Sequence, residues 1–143
     1  MILDSTTFHG QHKQIINDLV GRSFGFFDLI RLRGTESKRM AIQDMSPNFL
    51  LHLGRSPDAN YIHIEIRPSG VLIFINKGRE NLIWVIPYYQ LVIYTTNGIT
   101  IRAHGNYIHL GDDALLPENN AFFRKLSEVG LDYGKECHFA GRI

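Results

Sequence analysis

With 143 residues the chain has the length of one domain, enough to bury about two thirds of its unfolded surface around a single core. Its 44% hydrophobic and 20% charged residues exclude a disordered composition, and a formal charge of +1 provides no global field directed at nucleic acid or an anionic membrane. The lone Cys137 excludes an intrachain disulfide framework and a multi-cysteine zinc module, so a reducing, cytoplasmic setting is expected.

The opening MILDSTTFHG places Asp4 where a signal peptide carries basic residues and then an apolar run, so no export signal is read. His12, Ile15, Ile16, Leu19 and Val20 recur at helical spacing, with Ser5 to Thr7 upstream as caps and Gly21 as a stop. Gly21-Arg22-Ser23-Phe24-Gly25 then matches G-x-S-x-G, the nucleophile elbow of hydrolases. An elbow joins a strand to a helix in a mostly parallel sheet, whereas this match follows a helix, so no serine nucleophile is assigned. Residues 23–34 suit either a helix face through Phe26, Phe27 and Ile30 or a strand through Phe24, Phe26, Ile30 and Leu32.

RLRGTESKR, residues 31–39, is the one local basic cluster, and Arg31, Arg33, Lys38 and Arg39 are its candidate phosphate ligands. Nucleic acid is not expected, because no recognition motif or stacking platform accompanies the charges. Ser46-Pro47 is favourable for a helix start, with Gly54 as a stop after Phe49, Leu50 and Leu53.

From residue 61 the period changes to two, as Ile62, Ile64 and Ile66 alternate with His63, Glu65 and Arg67. VLIFIN, LIWVI, QLVIYT, ITIRAH and YIHL follow, each rich in β-branched or aromatic residues and separated by turn residues. Together they predict a six-strand antiparallel meander, with Asn97-Gly98 as its strongest hairpin signal. Pro87 and Gln90 interrupt the apolar run 82–94, which is shorter than the roughly 20 residues of a membrane helix, so no membrane span is read. The run is nevertheless apolar at nearly every position, which calls for cover on both faces by the N-terminal region or by a second copy in a homodimer. Phe122, Leu126, Val129 and Tyr133 mark a closing helix, with Asn119 or Asn120 available as its cap.

The succession of strands, one ending in IPYYQL, the Asn-Gly hairpin, a short last strand and the terminal helix resembles the pleckstrin-homology-like fold as bacterial chains use it, over about residues 61–131. The segments IEIRPSG and WVIPYYQLVIYTTNG are also similar to those of an uncharacterised bacterial family. The resemblance implies an α+β chain: an antiparallel meander forming a barrel or sandwich, closed by a C-terminal helix. One domain is expected, with a helical or mixed segment at 1–56 packed on a sheet-and-helix unit at 57–134, and a tail at 135–143. Many such domains bind phosphoinositides through clustered cations, but the loop Arg67-Pro68-Ser69-Gly70 offers one cation, so that ligand is not expected.

IRAHGNYIHL, residues 101–110, is the most chemically varied stretch. A turn at Gly105-Asn106 would pair Arg102 with His109 and His104 with Tyr107, all on one polar face, with Ile101, Ala103, Ile108 and Leu110 on the other. These four residues, with His63 and Glu65 as a neighbouring acid/base pair, form the candidate ligand face of a small ligand- or metal-binding barrel or enzyme. No third metal ligand is fixed by spacing, although Asp112 and Asp113 lie near, and neither a metal nor a cofactor is assigned. The leading expectation is a non-enzymatic cytoplasmic module that acts through contact with a protein.

Overall fold

The computed structural model describes residues 1–4, 10–49, 60–77, 80–132 and 138–140. Among the described residues the elements with both ends defined follow in chain order: β1 (Ile2–Asp4), α1 (Gly10–Val20), α2 (Phe26–Leu32), β2 (Met40–Met45), β3 (Tyr61–Arg67), β4 (Gly70–Lys77), β5 (Glu80–Pro87), β6 (Val92–Tyr94), β7 (Thr100–Ala103), β8 (Asn106–Leu110), α3 (Pro117–Asp132) and β9 (His138–Ala140). The chain is α+β, with an antiparallel sheet extended by one parallel edge pairing, β6 with β9, and a helix near the C-terminus.

All six expected strands form, but they are not one meander. The sheet order is β1-β5-β4-β3-β2-β8-β7-β6-β9, so β5 and β6 lie apart. Pro87 ends β5, and the 3-10 turn Tyr88–Gln90 redirects the chain. The buried Tyr88 fixes that corner by donating its hydroxyl to the Arg67 carbonyl at 2.6 Å. β2 joins the two three-strand units by pairing Met40 and Ala41 with Ile62 and Tyr61, then Ile42, Asp44 and Met45 with Leu110, His109 and Ile108. The irregularity between Ile42 and Asp44 lets one strand serve both partners, as a bulge adds local twist.

Of the two expected forms, barrel or sandwich, a closed barrel does not form among the described residues. β1 and β9 terminate the two ends of the sheet, and among the described residues no pairing joins them. Both edge strands have three residues, which limits the exposed ladder each presents. β2 lies in the segment read as helical or mixed, and β9 in the segment read as a tail.

Ile62, Ile64 and Ile66 point inward and alternate with half-buried neighbours, as expected of β3. They share one core with Trp84 of β5, Ile101 of β7, Ile108 of β8 and the α3 residues Phe122, Phe123, Leu126 and Val129. Phe49 meets the Trp84 ring edge-on at a centroid distance of 4.9 Å. α3 begins at Pro117, which suits the first helical turn, so the asparagines are not its cap. Asn119 is instead buried and donates to the Asp113 carbonyl at 2.8 Å. Tyr133, the Ser5–Thr7 caps and the stretch Leu50–Gly54 lie outside the described residues.

The second face of β4 and β5 is also covered. Leu72, Ile83 and Val85 are buried against Ile16 and Val20 of α1, with Leu3 and Leu19 packed beside them. This explains why β5 is apolar from Leu82 to Pro87. The cover comes from the chain itself, which removes the packing reason for a homodimer on that face.

Candidate functional site

The polar hairpin forms with a different register. Thr100 pairs with His109, Arg102 with Tyr107 and Ala103 with Asn106, leaving His104 and Gly105 as the turn. Both have positive φ, 50° and 75°, as a two-residue hairpin turn of this hand requires. The pairing differs from the expected one by two positions in total, so Arg102, Tyr107 and His109 keep the outward face while His104 moves to the tip.

These residues do not converge on a reacting centre. His109 is half-buried, and its Nδ1 lies 2.6 Å from the Thr100 hydroxyl. Tyr107 donates its hydroxyl to Asp44 of β2 at 3.1 Å. That hydrogen bond, with smaller contributions from burial and the Asp44 charge, pushes the Tyr107 pKa above 10.0 against an opposing effect from Arg102. Asp44 was not a sequence candidate, because its place opposite His109 depends on β2 reaching β8. Among the described residues, no three His, Cys, Asp or Glu side chains group closely enough to hold a metal ion.

His63 and Glu65 are each engaged by a different neighbour. The His63 ring stacks on Phe74 at 4.6 Å with an interplanar angle of 8°. Glu65 instead pairs with Arg67, with 3.4 Å between its Oε1 and the arginine Nε. β2 leaves β3 after Ala41, so the outward residues of β3 and those of β8 flank different parts of β2. Ser23 of the G-x-S-x-G match is exposed in the loop between two helices, without the strand that an elbow needs.

The basic segment is divided by the fold. Arg39 lies over the Tyr61 ring, 4.6 Å from its centroid, and Lys38 is exposed. Arg31 and Arg33 line a groove of about 270 Å³ with Arg124, Lys125 and Glu128 of α3. Lys125 donates to the carbonyls of Arg33 and Gly34, at 3.4 and 3.1 Å. Burial, and then the Arg33 charge, lowers its pKa below the ordinary lysine range. Four cations against the Glu128 carboxylate, with Arg31 also paired to Asp28 at 3.5 Å, leave this groove positive.

The ambiguous stretch 23–34 contains α2, whose apolar side faces away from the core. Phe26, Phe27 and Ile30 are 72%, 84% and 61% exposed, whereas Leu32 packs partly against the core. The two phenylalanine rings meet edge-on at 5.9 Å. At 3.6 residues per turn, Phe26, Phe27, Leu29 and Ile30 span an arc of about 160°. The sequence signal is the consecutive apolar pairs on a helix of seven residues: few of them can share the face that carries Leu32. Compared with family models, curated proteins and solved structures, the chain matches none.

Proposed function

We propose that the chain is a non-enzymatic cytoplasmic interaction module on a pleckstrin-homology-like core, with α2 as its contact element and a protein as its partner. The pleckstrin-homology-like reading is supported by two three-strand units bridged by one strand and followed by a helix. The observation that carries the function is the outward apolar arc of Phe26, Phe27 and Ile30, since large exposed aromatic and aliphatic side chains are the anchors that interfaces bury. The adjoining groove of Arg31, Arg33, Arg124 and Lys125 favours a partner with acidic groups beside its apolar pocket. A second copy is the poorer occupant, because its own cations would face these.

The test is a photo-crosslinking amino acid at position 27, with position 89 as an equally accessible control; Tyr89 is 72% exposed. The expected result is a discrete protein adduct from position 27 alone, weakened by Arg33→Glu. No adduct, or identical adducts from both positions, would overturn the reading. An adduct of twice the chain mass would make a second copy the occupant.

A further inference from the structure

A cleft of about 630 Å³ opens where the end of α1 meets the end of β3. Its lining is Lys13, Ile16, Asn17, Arg22, Ser23 and Arg67. We propose that it is a binding site for a phosphate-bearing small molecule. Three cations converge on it, and none of these lining side chains is acidic.

Arg67 is the fixed part of the site. Its side chain is only 12% exposed, and Nη1 donates to the Gly21 carbonyl at 3.1 Å and Asn17 Oδ1 at 3.4 Å while Nε and Nη2 meet the Glu65 carboxylate, which leaves one Nη2 N–H for a ligand. A guanidinium anchored in this way is oriented before a ligand arrives, so little side-chain freedom is lost on binding. Its donation to Gly21 also offsets the negative C-terminal end of α1, which would otherwise oppose an anion.

Two exposed cations supply the remaining charge. Lys13 and Asn17 lie four residues apart on one side of α1. Gly21 then turns the chain with φ of +87°, and a Cβ there would lie 3.2 Å from the Pro68 ring. The reversal brings Arg22 and Ser23 to the same opening, adding a second guanidinium and a hydroxyl donor. Glu65 compensates one positive charge at Arg67, and Asp18 lines the adjoining hollow with Lys13 and Arg22, so the three cations still leave a positive excess that suits a phosphate group. The volume leaves room beside one phosphate for an organic part of the ligand.

Isothermal titration of the full chain with inorganic phosphate, pyrophosphate and citrate tests this, alongside thermal unfolding of each variant. Phosphate and pyrophosphate should bind, pyrophosphate more tightly. Lys13→Ala and Arg22→Ala should each weaken binding by about tenfold, the loss expected for one charge-assisted hydrogen bond. Both residues are exposed, so neither variant should lower the unfolding temperature appreciably. Absence of heat with all three anions, or binding that both variants leave unchanged, would overturn the proposal. Citrate binding as tight as pyrophosphate would overturn the phosphate class in favour of carboxylates.

Discussion

Tyr107 and Asp44 form the side-chain contact by which the β2 bulge reaches the polar hairpin. The raised phenol pKa belongs to a group whose protonated form is favoured in the folded chain. Its stabilising contribution is therefore fully present below the ordinary value of 10.0 and is lost as pH rises through the folded value. Asp44→Asn removes the carboxylate, so the Tyr107 ring, followed by NMR in tyrosine-labelled protein, should titrate closer to 10.0 than in the parent chain. An unchanged midpoint would mean that Asp44 does not accept this proton in solution. The same hairpin marks a limit of sequence reasoning at single residues. Asn97-Gly98 was legible as a turn, and both residues have positive φ, because Asn and Gly tolerate that conformation locally. His104 carries φ of 50° where the local signal is weaker than that of Asn-Gly, and the turn expected at Gly105-Asn106 falls one residue late.

At the scale of elements, α1 and the β3–β4 turn depend on one glycine. A Cβ on Gly70 would lie 2.3 Å from the Ile86 carbonyl, 2.5 Å from Val20 and 2.9 Å from the Pro87 backbone. Two of these are backbone atoms that no rotamer change can move. Gly70→Ala should consequently cost about 3 kcal/mol or more in urea unfolding, at the upper end of overpacking, and should loosen α1 from β5. A loss under about 1 kcal/mol would show that β5 shifts freely at this point. Most elements near this junction were legible. β3 alternates strictly, and α1 repeats its apolar residues at helical spacing, since each buries one face against one neighbour. β2 was not legible, because MAIQDM has the burial order of a bulged strand, with Met40 and Met45 buried and Gln43 and Asp44 exposed. A break in period two removes the pattern by which a strand is recognised. β1 and β9 are too short to show a period, and their existence depends on the edges they cap. The type of α2 was not legible either, because Phe26, Phe27 and Ile30 suit a helix face while Phe24, Phe26, Ile30 and Leu32 suit a strand.

At the scale of the whole molecule, the candidate surfaces lie on a scaffold whose two halves share a strand and a core. β3, β4 and β5 could form a unit alone, as could β6, β7 and β8, but neither unit would bury its inner face. Ile62 and Trp84 from the first unit, Ile101 and Ile108 from the second, and the α3 stripe belong to one buried cluster. β2 also pairs with both units through backbone hydrogen bonds. Separating the halves would expose apolar surface on each and leave one side of β2 unpaired, so a half-folded state has little to stabilise it. Unfolding should therefore be a single transition. Trp84 is the chain's one tryptophan and lies on β5, so its fluorescence follows the first unit. Amide exchange at Ile101 and Ile108, measured across the same urea series, follows the second. Both are expected to give the same midpoint and the same denaturant dependence. If exchange in β7 and β8 opened well below the tryptophan transition, β2 would couple the units only weakly. The polar hairpin would then belong to a separately unfolding unit, distinct from the one that carries the anion cleft.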